Sequence, residues 1–153
     1  MTNMNEISEA TQTDALEIAR LLTSLGHDTS VDEINERWDK WVSDGNLAFV
    51  FRKNEENLAG LITLHKMFVL HRPHYVGRIT ALIVDEKFRG QGIGRALVET
   101  AEVYLKSAGC GLLEITSNKR LKKAHLFYEQ LGYERTSERF GKTILNSTES
   151  TQR

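Results

Sequence analysis

The 153-residue chain lacks the features that mark several large classes of protein. Its one cysteine, Cys110, excludes an internal disulfide and is typical of a reducing cytoplasm. No apolar run approaches the roughly 20 residues of a membrane helix. The first ten residues also lack the basic start and apolar middle of a signal peptide. We therefore expect a cytoplasmic protein without a membrane partner.

An excess of charge is also missing, because 20 Lys and Arg residues face 21 Asp and Glu residues. A surface that neutralises phosphates needs a basic excess, so nucleic acid is not expected as a partner. Hydrophobic residues make up 40% of the chain, enough for a packed core. We predict one domain over residues 5–145. The polar ending "NSTESTQR", residues 146–153, has no apolar side chain to bury and is predicted to be disordered.

The hydrophobic periodicity predicts an α+β fold. Helical spacing covers residues 13–25, 31–43, 92–108 and 124–131, and the second helix starts with a capping box, Ser30 to Glu33. Alternating or β-branched runs predict strands over residues 5–10, 47–52, 58–69, 76–84, 112–116, 133–137 and 140–145. We expect a twisted, mostly antiparallel central sheet of about seven strands, flanked by about four helices, with one βαβ step.

A glycine-rich stretch, "RGQGIGRAL" at residues 89–97, connects a predicted strand to the third helix. The first amides of a helix have no partner within the helix, and the helix dipole makes them attractive to anions. Glycines at positions 90, 92 and 94 allow a ligand to come close and permit left-handed backbone. Arg89 and Arg95 add positive charge. The stretch predicts a phosphate or pyrophosphate site.

Two common phosphate-binding motifs do not fit this stretch. A P-loop needs Gly-Lys-Ser/Thr, whereas Gly94 is followed by Arg95 and Ala96. A dinucleotide-binding turn needs Gly-x-Gly-x-x-Gly, whereas the spacing here is Gly-x-Gly-x-Gly. A glycine-rich turn without a ligand is the remaining alternative.

A second motif argues for a ligand. "AHLFYEQLGY", residues 124–133, follows one strand later. Together with Arg89-x-x-Gly92-x-Gly94, it resembles the acetyl-CoA signature of the GNAT superfamily of N-acetyltransferases, over about residues 5–145. The resemblance implies the GNAT fold, with a splayed central strand pair. It also implies an acyltransferase that moves the acetyl group directly from acetyl-CoA to a primary amine. No metal is expected, and homodimers are common in such proteins.

The resemblance also implies roles for particular residues. The main chain of residues 82–84 is expected to bind the pantetheine arm, with the Ile83 amide polarising the thioester carbonyl. The pyrophosphate is expected on the amides of residues 90–95. Tyr128 is expected to protonate the leaving thiolate. The predicted cofactor contacts are Leu82, Ile83, Val84, Arg89, Gly90, Gln91, Gly92, Ile93, Gly94, Arg95, Asn118 and Tyr128.

The acceptor site is less well defined by the sequence. The superfamily builds it from the first two helices, the hairpin before the glycine strand and the last strands. His65 is a candidate base near neutral pH, with a water relay as the alternative. The candidate substrate contacts are Trp38, His71, Arg72, His74 and Arg139.

The pattern "GLITLHKMFVLHRPHYVGRI" and the ending "SERFGK" are similar to aminoalkylphosphonate N-acetyltransferases. Arginine grips the oxyanions of a phosphonate well. Those enzymes, however, carry acidic residues where this chain has Arg78 and Ala81. A protein N-terminus or an aminoglycoside therefore stays open as the acceptor. A non-catalytic CoA sensor or docking module of the same fold is the alternative from a different class.

Overall fold

A computed structural model describes residues 6–117 and 119–145. The contacts divide the chain into a first unit that ends at Ile115 and a second unit that begins at Thr116. The prediction of a single domain over residues 5–145 stays a prediction, and the tail predicted at residues 146–153 lies outside the described residues. Within the described part of the chain, no helix is long and apolar enough to cross a membrane.

The helices and strands follow the sequence pattern closely. The helices are α1 (Ala15–Ser24), α2 (Val31–Ser43), α3 (Ile93–Ser107) and α4 (Lys122–Gln130). The strands are β1 (Ile7–Glu9), β2 (Asn46–Arg52), β3 (Leu58–Met67), β4 (Tyr75–Val84) and β5 (Cys110–Ile115). The capping box of α2 is present, because the Glu33 amide donates to the Ser30 hydroxyl at 3.1 Å. The α+β class and the four helices are confirmed.

The five strands form one sheet in the order in which they occur along the chain. The pairs β1–β2, β2–β3 and β3–β4 are antiparallel, whereas β4 and β5 are parallel. Parallel neighbours need a crossover, and α3 supplies it as the predicted βαβ step. The strand that leads into the glycine stretch, β4, thus lies inside the sheet between β3 and β5.

The two faces of the sheet are covered by different helices. On one face, Ile18 and Leu21 of α1 pack with Leu61 and Ile83 of the sheet. On the other face, α3 comes so close to β3 that a Cβ on Gly60 would lie 2.9 Å from a Leu97 methyl. A Cβ at position 60 would force the Leu97 and Ile93 side chains to move, so glycine allows α3 to pack closely on β3.

One prediction about the sheet is wrong. Among the described residues the sheet has five strands rather than about seven, because residues 133–137 and 140–145 form no strand. Phe140 and Ile144 are 91% and 87% exposed. A hairpin whose apolar side chains do not pack on a core is only marginally stable. The alternating pattern therefore did not produce strands here.

Candidate functional site

The glycine stretch forms an exposed turn between β4 and α3. Gly90 has φ +79° and Gly92 has φ +80°, both in the left-handed region. Gly92 is the residue before α3, and the described residues supply no side-chain cap at this helix start. Nothing lies within 4 Å of the place where a Cβ on Gly90 would stand. The backbone conformation, and not crowding, therefore selects glycine at position 90.

The start of α3 presents amides that have no partner inside the helix. The first bond of the helix runs from the Ala96 amide to the Gly92 carbonyl at 3.1 Å. The amides of residues 93–95 precede that bond, so the helix itself cannot satisfy them. The Ile93 side chain is 2% exposed and anchors this end of the helix in the core. The amides are thus held at the end of β4, where they favour a bound anion.

The two arginines beside this turn already have partners. Arg95 Nε lies 2.9 Å from a carboxylate oxygen of Glu99, and both side chains are more than half exposed. Arg89 Nε donates to the Val84 carbonyl at 3.3 Å. Because the Arg95 pair is exposed, its free energy is small and an anionic ligand can compete for the guanidinium.

The strands β4 and β5 pair over only half of β4. Their ladder runs from Tyr75 and Cys110 to Ile79 and Ile115, where β5 ends. Among the described strands, none pairs with residues 80–84 on the side that faces away from β3. We call residues 80–84 the unpaired half of β4. Here β4 and β5 no longer pair, as expected for the splayed strand pair that the resemblance implied.

The main-chain bonding of β4 fixes which amides point away from β3. The Asp85 amide donates to the Ala59 carbonyl at 2.8 Å. Since every second residue of an antiparallel strand bonds to the same neighbour, the Ile83 amide also faces β3. The amides of Leu82 and Val84 point to the other side. The Ile83 amide, predicted to polarise the thioester carbonyl, therefore bonds within the sheet, whereas the Leu82 amide faces the unpaired side of β4.

A row of polar residues crosses the sheet close to the unpaired half of β4. His65 lies opposite Arg78, and Arg78 lies opposite Glu114 on β5. Arg78 Nη2 is 2.6 Å from a Glu114 carboxylate oxygen, and the two side chains are 42% and 40% exposed. Arg78 is one residue before Ile79, where the ladder ends. The sequence showed these residue types, but only the register of three strands makes them neighbours.

This polar row lies on the face of the sheet that α1 and α2 cover. Leu61, Thr63 and His65 are every second residue of β3, so their side chains share one face of the sheet. Leu61 packs with α1 on that face. Trp38 of α2 is half-buried against the same cluster. Of the residues predicted for the acceptor, Trp38 and His65 therefore share one face with the Arg78–Glu114 pair.

Three other predicted acceptor residues lie at the opposite end of β4 from the glycine turn. His71, Arg72 and His74 are exposed in the connection between β3 and β4. Tyr75, the first residue of β4, is three positions before Arg78, about 10 Å along the strand, and all three residues precede Tyr75. The structure does not bring these three residues to the polar row.

The second unit carries the remaining predicted site residues. Tyr128 lies on α4 and is half-buried, with ring centroids 5.5 Å from Phe127 and 6.4 Å from Tyr133. Burial raises the pKa of the Tyr128 phenol. The phenol therefore stays protonated at neutral pH, as a proton donor must. Arg139 is exposed, and Asn118 lies outside the described residues.

The comparison with known families decides what kind of protein this is. A sequence model described as "Acetyltransferase (GNAT) family" matches residues 13–133. The chain belongs to the GNAT family of acetyltransferases. It is therefore an acyltransferase, and GNAT enzymes use acetyl-CoA as their co-substrate. The resemblance that the two motifs predicted is confirmed.

Individual GNAT relatives agree with this assignment. An aminoalkylphosphonate N-acetyltransferase of Salmonella typhimurium is 35% identical over 101 residues, 66% of each chain. A probable glucosamine 6-phosphate N-acetyltransferase of Drosophila melanogaster is 30% identical over 82 residues, 54% of this chain and 36% of that protein. The matched stretches thus span two thirds or less of these relatives.

Solved GNAT structures show the same fold. An acetyltransferase of Trypanosoma brucei superposes with a TM-score of 0.79 at 27% identity, covering 92% of this chain and 99% of that chain. Among the described residues of this GNAT chain, no group of three or more His, Cys, Asp and Glu side chains is placed to hold a metal ion.

Proposed function

We propose that this GNAT enzyme moves the acetyl group of acetyl-CoA directly to a primary amine of a small, anionic molecule. The glycine turn at the end of the unpaired half of β4 carries the proposal. A diphosphate fits this turn because Gly90 and Gly92 are left-handed and the amides of residues 93–95 precede the first helical bond. No lysine is needed, since the amides and the helix dipole supply the positive field.

The unpaired half of β4 suits the pantetheine arm. The arm contains amide groups, and Leu82 and Val84 direct main-chain donors and acceptors away from β3. An extended ligand adds to such an edge as a further strand does. With the diphosphate at the glycine turn, the arm would run back along β4 toward Ile79, where β5 begins to pair. The thioester would then lie close to the polar row.

The proposed chemistry needs a neutral amine, a stabilised oxyanion and a proton for the sulfur. The Leu82 amide donates to the carbonyl oxygen as negative charge develops there. The Glu114 carboxylate attracts the acceptor as an ammonium ion, and His65 or a water takes the proton before attack. The nitrogen–carbon bond forms, the carbon–sulfur bond breaks, and the Tyr128 phenol gives its proton to the thiolate. The nitrogen then loses its second proton through water, which restores the phenol and leaves a neutral amide. The role of Tyr128 rests on the family motif in residues 124–133.

The acceptor is proposed to carry a phosphonate or phosphate group as well as the amine. Both curated relatives described above are named for an acceptor of that kind. The Arg78 guanidinium is half-exposed beside Glu114, so the pair offers an anion site next to an ammonium site. This pair also accounts for the missing acidic residues on β4, because Glu114 supplies a carboxylate from the neighbouring strand.

The test is release of free thiol from acetyl-CoA with acceptors that carry or lack a phosphonate or phosphate group. We expect faster turnover with 2-aminoethylphosphonate and glucosamine 6-phosphate than with ethanolamine or an aminoglycoside. Binding of acetyl-CoA without turnover of any amine would contradict the proposal and favour a CoA sensor. Faster turnover with an aminoglycoside would contradict the proposal that the acceptor is anionic, while leaving acetyl transfer from acetyl-CoA intact.

A further inference from the structure

Asp85 is a buried carboxylate at the point where β4 leads into the glycine turn. Its side chain is 9% exposed. One carboxylate oxygen accepts the Lys87 amide at 3.0 Å, and the other accepts Arg20 Nη1 at 2.7 Å. The Asp85 amide bonds to the Ala59 carbonyl. Both the main chain and the side chain of Asp85 are therefore fixed.

Arg20 of α1 connects Asp85 to two further elements. Its Nε and Nη2 atoms donate to the two carboxylate oxygens of Glu17 at 2.7 and 3.0 Å. Its Nη2 atom also donates to the carbonyl of Leu58 at 3.0 Å, at the start of β3. Glu17 in turn accepts the Leu58 amide at 3.0 Å. The planar guanidinium thus joins α1, β3 and the end of β4 in one network.

We propose that Asp85, held by Arg20, is a positioning residue for the coenzyme diphosphate. The inference rests on the proposed function. Asp85 caps the short turn Glu86–Phe88, and only four residues separate that turn from the first residue of α3. Holding this turn fixes the direction in which the chain enters residues 89–92. The amides of residues 93–95 are then oriented before the ligand arrives.

The energetic reason is preorganisation. Ordering a loose backbone costs conformational free energy, and a ligand that must order the loop on binding loses that amount from its affinity. An Asp85 variant that loosens about one residue of the turn should therefore bind the coenzyme about tenfold more weakly, which corresponds to about 1.4 kcal/mol.

The chain contains a matched control for this role. Asp14 is 8% exposed, accepts Arg52 Nη2 at 2.8 Å and accepts the Thr11 amide at 2.9 Å. It is thus buried, paired with an arginine and bonded to a nearby amide, like Asp85. Its partners lie before α1 and on β2, so it does not bond to the glycine turn.

The experiment compares Asp85→Asn with Asp14→Asn. The kinetics are measured with acetyl-CoA and with acetylpantetheine, which lacks the diphosphate, and the melting temperature is measured alongside. We expect both variants to lower the melting temperature. We expect only Asp85→Asn to raise the KM for acetyl-CoA, by about tenfold, with the KM for acetylpantetheine and kcat little changed.

Other outcomes distinguish a failure of the positioning role of Asp85 from a failure of the proposed diphosphate site. An equal rise in KM for both variants, or an unchanged KM for Asp85→Asn, would overturn the positioning role alone. A wild-type enzyme that uses acetylpantetheine as well as acetyl-CoA would overturn the diphosphate site itself. If Asp85→Asn does not fold, Arg20→Lys is compared with Arg52→Lys, since one ammonium cannot reach all the partners of a guanidinium fork. Arg20→Lys alone is then expected to raise the KM for acetyl-CoA while leaving the KM for acetylpantetheine little changed. The absence of this difference overturns the inference.

Discussion

At Gly90, a single missing Cβ allows the backbone conformation on which the proposed coenzyme site depends. We expect Gly90→Ala to lower the stability by about 1–2 kcal/mol, because φ +79° is costly for alanine. We also expect a higher KM for acetyl-CoA, since the turn would shift to relieve the strain. Steady-state kinetics and thermal melting measure the two effects.

Gly26 provides the control for this prediction. It also has a left-handed backbone, at φ +103°, and no atom lies within 4 Å of the place that a Cβ would occupy. Gly26→Ala should therefore lower the melting temperature similarly while leaving the KM for acetyl-CoA unchanged. Equal KM values for the two variants would show that the glycine turn does not bind the coenzyme.

Arg78 is predicted to select acceptors by their anionic group. We expect Arg78→Gln to lower kcat/KM for 2-aminoethylphosphonate about tenfold, because a charged hydrogen bond at a half-exposed site is lost. The value for ethanolamine should change little. Arg37→Gln is the control, because Arg37 and Glu33 form a similarly exposed pair on α2, at 2.7 Å. A loss that is the same for both amines would exclude this role.

Tyr128 is predicted to donate a proton to the leaving sulfur. We expect Tyr128→Phe to lower kcat by about 10²-fold or more, while the dissociation constant of CoA stays within a small factor of the wild-type value. Stopped assays of thiol release and calorimetry measure the two quantities. An unchanged kcat would mean that another group, or water, protonates the thiolate.

At the scale of elements, the Glu17–Arg20–Asp85 network predicts how stability depends on pH. Hydrogen bonds from Arg20 lower the pKa of Glu17, and the Lys87 amide together with Arg20 lowers the pKa of Asp85. A carboxyl group whose pKa is lower in the folded than in the unfolded protein stabilises the fold at pH values above its unfolded pKa. That unfolded pKa is about 3.9 for Asp and about 4.3 for Glu. This stabilisation is lost as the pH falls through the folded values.

The melting temperature is therefore expected to fall as the pH decreases below about 4. The decrease should be shallower in Asp85→Asn, since one of the two carboxyl groups no longer titrates. Calorimetric scans between pH 3 and pH 7 measure this. A variant with the same slope as the wild type would show that Asp85 does not contribute to the acid dependence.

The elements also show what the sequence could and could not predict. The bounds of α2 were predicted correctly at both ends because Ser30, Glu33 and Gly45 are local signals. Local alternation could not show that residues 133–145 lack a partner, since strand pairing depends on distant residues. Choosing Leu82 over Ile83 required the register of β3 and β4, which includes an irregularity at Thr63 and Leu64.

At the scale of the whole molecule, the family was predictable while the acceptor site was not. The glycine turn and the motif around Tyr128 are each a short stretch of sequence, so spacing alone reveals them. The polar row, proposed as the acceptor site, joins His65, Arg78 and Glu114 from three strands, and their alignment follows only from the folded sheet. His71 and His74, which were predicted as substrate contacts, lie instead on the exposed connection between β3 and β4.

The central claim is that the amides at the start of α3 and along the unpaired half of β4 bind acetyl-CoA. The most direct measurement is a titration of ¹⁵N-labelled enzyme with acetyl-CoA, followed by amide NMR. We predict that the largest shifts occur at residues 90–95 and at Leu82 and Val84, with a smaller shift at Ile83. Binding that shifts other amides while leaving residues 90–95 unchanged would contradict the account.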